Sequence, residues 1–164
     1  MLKSILSGED CASCRFCCSF RRKSLWETPI FDKKAKENLE KKYPRAVFKS
    51  AGKESFTVEL NHLYKTEDSE EEAPCPFLGE HGCVLSASEK PFDCSIWPLR
   101  SCKIDGKIKV MLENTCPAIA KQPFENVKKL VESGLGEKII SYAEKNPDAI
   151  KDFSQDYKIV EFVC

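Results

Sequence analysis

Ten cysteines dominate the chemistry available to this 164-residue chain. Four stand in one run, Cys11-Ala-Ser-Cys14-Arg-Phe-Cys17-Cys18; five more lie between 75 and 116, and the last residue is Cys164. A Cys-x-x-Cys pair puts two thiolates within reach of one metal, and a third cysteine at the same interval repeats the run used by ferredoxins. The fourth departs from that pattern, because Cys18 is adjacent to Cys17 and no proline follows it. On a helix, steps of about 100° would confine all four to an arc of about 120°. In a loop, Cys17 and Cys18 would point apart. Either way the run draws ligands from elsewhere or serves two centres, and which of Cys17 and Cys18 ligates stays open.

The second group supplies the candidates. Cys75-Pro76 and Cys116-Pro117 are Cys-Pro pairs, in which proline fixes a turn and removes a competing N–H. Gly82-Cys83 and Cys94-Ser-Ile-Trp97-Pro98 also sit among turn-forming residues. Phe16, Phe20, Phe77, Phe92 and Trp97 flank these cysteines. They read either as a shell limiting water around a metal centre or as ordinary core. Cys102, at the entry to a hairpin, and Cys164, the terminal residue, lack such flanks and are expected not to ligate. His81, just before Gly82-Cys83, reads more readily as a surface turn residue than as a ligand, and His62 has no nucleophile pattern around it.

These residues resemble the CxxCxxCC cysteine-cluster proteins, the YkgJ-type family of zinc- or iron-chelating domains. The likeness runs from the 11–18 motif through Cys75-Pro-Phe-Leu and Cys83-Val-Leu to Lys90-Pro91-Phe-Asp-Cys94-Ser-Ile-Trp97-Pro98 and Cys116-Pro117. It covers roughly two thirds of the chain, about 11 to 118. The departures are Arg15 where glycine is common, Lys90 and Ser95 in place of arginines, and Cys102 and Cys164, which have no counterpart. The resemblance implies metal or iron–sulfur binding and no particular reaction.

The leading expectation is therefore a metal-binding protein in which two cysteine groups converge. The ligands are Cys11, Cys14, Cys17, Cys18, Cys75, Cys83, Cys94 and Cys116, with Cys14 and Cys94 in one centre. An iron–sulfur cluster (four-iron clusters included) and zinc both accept all-thiolate tetrahedral ligation, and the ferredoxin-like run favours the cluster. Ligation would supply much of the energy that orders the turn-rich cysteine segments. An enzyme is the alternative, an iron–sulfur oxidoreductase or methyl-transfer-related protein, because a related cysteine domain occurs in the flagellin lysine methylase family. Neither a dinucleotide-binding glycine loop nor a P-loop is present to support it. A zinc-stabilised nucleic-acid or protein interaction module is the third reading, resting on Arg15, Arg21, Arg22 and Lys23 beside the first run. Against it, 26 basic and 26 acidic residues cancel, which disfavours a global grip on nucleic acid or anionic lipid.

The first residues carry no apolar core of a signal peptide, and no apolar run approaches the ~18 residues of a membrane span. A cytoplasmic location follows, where disulfides would not persist and metal ligation is the common use of many thiols; a disulfide-rich secreted domain is the competing reading.

The elements that must position these thiols read as one α+β domain over 1–164. It has a cysteine core at about 11–118 and a helical part at about 122–164. Ser24-Leu-Trp-Glu matches a capping box, and Phe31, Ala35, Leu39 and Tyr43 recur every four residues up to Pro44. Phe56, Val58 and Leu60 alternate like a strand, and residues 67–72 read as a solvated acidic loop. Asp105-Gly106 signals a two-residue hairpin. Phe124, Val127, Leu130 and Val131 form a helical stripe stopping at Gly134; Ile139, Ile140 and Ala143 form another, stopping at Asn146-Pro147. Tyr157 to Val163 suits a last strand.

Overall fold

The computed structural model describes residues 2, 5–22, 28–113, 115–153 and 158–160, and of Cys11 the backbone alone. Short helices and strands alternate along it, an α+β chain as the sequence suggests. The elements are α1 (Gly8–Cys14), β1 (Ser19–Arg21), β2 (Phe31–Asp32), α2 (Lys33–Lys42), β3 (Phe48–Ser50), β4 (Ser55–Val58), β5 (Glu72–Pro74), β6 (Leu78–Gly79) and β7 (Gly82–Cys83). Then follow α3 (Phe92–Ile96), β8 (Leu99–Ile104), β9 (Lys107–Leu112), α4 (Pro117–Ala120), α5 (Phe124–Leu130), α6 (Gly136–Lys145) and β10 (Lys158–Val160). The backbone gathers into two compact units, Ala12–Cys94 and Met1–Cys11 with Ser95–Cys164.

The unit Ala12–Cys94 holds a three-stranded sheet in the order β2-β4-β3, the antiparallel ribbon β1-β5 and the hairpin β6-β7. Its core is Phe20, Phe31, Leu39, Ala46, Val58, Leu60, Ala73, Phe77 and Leu85, with Ala35, Tyr43 and Phe48 packed against it. The four-residue stripe of α2 is thus real, but the helix starts later than its sequence suggests. Phe31 pairs with Phe56 across the sheet, so the backbone at 31–32 is extended. Asp32 becomes the N-cap, accepting from the Ala35 N–H at 2.7 Å, and Pro29 precedes the helix. The Ser24–Glu27 box lies outside the described residues. Leu60 falls beyond β4 but is buried all the same.

In the other unit the sheet runs β10-β9-β8. Asp105 (φ 49°) and Gly106 (φ 77°) form the expected turn between β8 and β9, both left-handed as such a hairpin requires. Val127, Val131, Leu135, Ile139 and Ala143 bury one face of the α5–α6 segment, and α6 packs on β8 and β9. Gly134, at φ 103°, breaks α5 from α6 where the sequence places a stop. The predicted last strand is present at 158–160, pairing with 110–112; Tyr157 and residues 161–163 are outside the described residues.

Candidate metal centre

The first cysteine run is neither one helix nor a plain loop. Helix α1 ends at Cys14, Arg15 takes a left-handed conformation (φ 55°, ψ 0°), and Phe16–Cys18 form a single 3-10 turn closed by the Cys18 N–H on the Arg15 carbonyl at 3.0 Å. The single-arc arrangement of four thiols on a helix is therefore not the one adopted. A residue forced to positive φ explains why glycine would suit position 15.

After the turn the chain enters β1, where Phe20 is buried and anchors the segment. Ser19 pairs with Pro74, and one residue beyond that pair the Cys75 N–H donates to the Cys18 carbonyl at 2.7 Å. Backbone pairing thus brings the end of the first run beside Cys75. Cys75-Pro76-Phe77-Leu78 then turns sharply, with the Leu78 N–H on the Cys75 carbonyl at 2.9 Å and Phe77 driven into the core. The hairpin β6–β7 returns Cys83 opposite Leu78. Gly82, at φ 97°, lies so close to the first run that a Cβ there would sit 3.4 Å from the Ala12 backbone. Cys94 belongs to α3, whose buried Asp93 accepts from the Ile30 N–H at 3.2 Å and ties the helix to the entry of β2.

Electrostatics singles out four thiols. Burial pushes the Cys75 thiol up to about 12, and the charges of Cys94, Cys83 and Cys17 push it the same way; the Phe77 N–H, donating to Cys75, pulls it down. Cys17, Cys75, Cys83 and Cys94 are half-buried, whereas Cys14 is exposed. Cys18 is half-buried too, tied to Cys75 through its carbonyl. Cys116 is buried at the N-cap position of α4 in the second unit. Cys102 is fully buried in β8, a core position. The side chains of Cys11 and Cys164 are outside the described residues. The eight described cysteine side chains are thiols rather than disulfides. Among the described residues, no group of three or more His, Cys, Asp or Glu side chains is drawn close enough to hold a metal ion as it stands.

The flanking aromatics divide. Phe20 and Phe77 are core, Phe92 and Trp97 are half-buried, and Phe16 is exposed. Both histidines are exposed, His81 in the β6–β7 turn. The basic cluster and the acidic loop meet: Arg21 pairs with Glu70 at 3.1 Å, and Arg22 lies 3.7 Å from Glu71 and over the Tyr64 ring. Lys23 is outside the described residues. The loop is more than a solvated acidic stretch, because the Glu71 carboxylate accepts from the Lys65 and Thr66 N–H groups and the Thr66 hydroxyl. The sequence pattern assigns no role to Glu71 or Asp93 and marks Arg15 only as part of a basic cluster. Among the described residues no helix is long and apolar enough to cross a membrane.

Comparison with protein-family models, with curated proteins and with solved structures returned no match.

Proposed function

We propose that this chain is a metal-binding protein that holds an iron–sulfur cluster or zinc through thiolates, with Cys17, Cys75, Cys83 and Cys94 as the core ligand set. The convergence of Cys17, Cys83 and Cys94 on the buried Cys75 thiol, whose ionisation their charges oppose, supports the reading. Thiolates near one another repel, and a cation among them reverses that cost. The donor set is soft and all sulfur, which suits iron–sulfur clusters and zinc and does not suit calcium or magnesium. The Phe77 N–H favours the ionised Cys75, as a donor to a ligating sulfur does. A cluster would supply one-electron transfer, and zinc a structural staple.

Cys11, Cys14, Cys18 and Cys116 are the other cysteines of the expected ligand set and serve as reserve thiols. The CxxCxxCC cysteine-cluster family is the kinship this reading implies, and a reducing, cytoplasmic compartment suits its unbridged thiols.

Anaerobic purification followed by iron, zinc and acid-labile sulfide analysis tests the proposal. Iron and sulfide in equal amounts select the cluster, and zinc without sulfide selects the zinc site. Cys17→Ser and Cys94→Ser should each abolish the same site, and the double variant should lose nothing further. A reduced, folded chain that takes up neither zinc nor iron with sulfide refutes it.

A further inference from the structure

We propose that Arg15 is a positioning residue for the thiolate centre: its guanidinium clamps the first cysteine run onto the β6–β7 turn and sets how readily the centre opens. The inference rests on the metal-binding reading for its consequence, and on geometry alone for the clamp.

Among the described residues Arg15 is one of two non-glycine residues with positive φ, and the other, Asp105, occupies a hairpin turn that calls for it. At position 15 glycine would adopt φ 55° without strain, so an arginine there points to use of its side chain. That side chain reaches across 65 positions of sequence to donate to the Glu80 carbonyl, while its Nε donates to the Ala12 carbonyl at 3.3 Å. A planar fork with several donors can serve two carbonyls at once, which an ammonium cannot do in one fixed geometry. Two residues past Glu80, Gly82 lies beside Ala12, within the distance at which a Cβ would just touch its backbone.

The consequence follows from what lies between the fastenings. The run is pinned at Cys18 by the Cys75 N–H and at Arg15 by the Glu80 carbonyl. Cys17 lies between these two points in the chain, within the 3-10 turn Phe16–Cys18. Glu80 belongs to the same hairpin as Cys83. The clamp therefore fixes the backbone of Cys17 relative to Cys83 and Cys75, and releasing it frees the segment that carries Cys17.

Wild type, Arg15→Gly and Arg15→Lys are compared in three measurements. These are the iodoacetamide alkylation rate of each cysteine in the reduced, metal-free chain, the rate of Zn2+ release from the loaded chain to a chelator, and the thermal midpoint. In Arg15→Gly, Cys17 alkylation and Zn2+ release should both quicken about three- to tenfold, the range expected when exposed, solvent-screened hydrogen bonds are lost. The midpoint should hold or rise, because the strained φ is relieved. Arg15→Lys should fall between the two. Wild-type rates in Arg15→Gly overturn the proposal, and so does a uniform quickening that includes the buried Cys102, which would mean general loosening. If the wild-type chain holds no Zn2+, the zinc-binding form of the metal reading fails, and the alkylation rates still decide the clamp.

Discussion

Replacing Phe77 by alanine separates the fold from the site. Phe77 is 1% exposed, and its ring lies 5.4 Å from Tyr43, 6.1 Å from Phe31 and 6.2 Å from Phe48. Truncating a buried phenylalanine costs about 3–5 kcal/mol, and three aromatic neighbours place this one at about 4 kcal/mol or above. A domain of this size has about 5–15 kcal/mol in total, so the loss is a large fraction of it. The group that Phe77 offers to Cys75 is its backbone N–H, which alanine keeps. The expected outcome is a sharp fall in stability with unchanged metal stoichiometry. Urea unfolding of the reduced, chelated chain followed by circular dichroism gives the first quantity, and metal analysis the second. Phe77→Leu, expected to cost about 1.5 kcal/mol or less, covers the case in which the alanine variant does not fold. A cost below about 1 kcal/mol for alanine would refute the placement of Phe77 at the centre of the core. Loss of metal from a stable leucine variant would make the ring part of the site.

Two further outcomes follow from the same structure. Cys102→Ser should leave bound metal unchanged and cost about 1–3 kcal/mol, because it puts a hydroxyl into a fully buried strand position; metal loss in this variant would make Cys102 a ligand. Glu71 is held down from 4.5 to about 2, first by the Lys65 N–H and then by the Thr66 hydroxyl and N–H. A depressed carboxylate stabilises the fold above its unfolded value, so this contribution is complete above about pH 4.5 and is lost as pH falls toward 2. Glu71→Gln should flatten that acid limb in urea midpoints measured across pH; an unchanged slope would show that the carboxylate does not set it.

The parts of the fold legible in the sequence are those fixed by local chemistry. Asp105-Gly106 can satisfy a turn with two left-handed residues, and the chain uses it so. Gly134 and Asn146-Pro147 stop helices because one accepts positive φ and the other cannot extend a helix. The start of α2 was misread for a long-range reason. Phe31 carries the helical period of its successors, yet pairing with Phe56 claims its backbone for a sheet, and nothing between 24 and 32 announces a partner 25 positions on. The same holds for β1 and β5, whose pairing joins residue 19 to residue 74.

The candidate site divides along the same line. The cysteine types and spacings point to thiols as the candidate ligands, and the Cys75-Pro76 pair points to a turn, which the Leu78 N–H on the Cys75 carbonyl closes. Which thiols of the first run face the others is decided by the backbone at Arg15. With φ 55° the chain leaves the helix after Cys14, so Cys14 stays exposed at the end of α1 while Cys17 enters a separate turn. Cys18 spends its carbonyl on the Cys75 N–H, which commits its backbone to the β1–β5 ribbon, and Cys17 is the member of the run whose charge acts on Cys75. The proposed centre takes its first-run thiolate from Cys17, whereas spacing alone suggests Cys14 beside Cys94. Helical periodicity treats the four cysteines alike. One residue of the opposite hand makes them different, and a change of hand at a non-glycine position leaves no trace in the spacing.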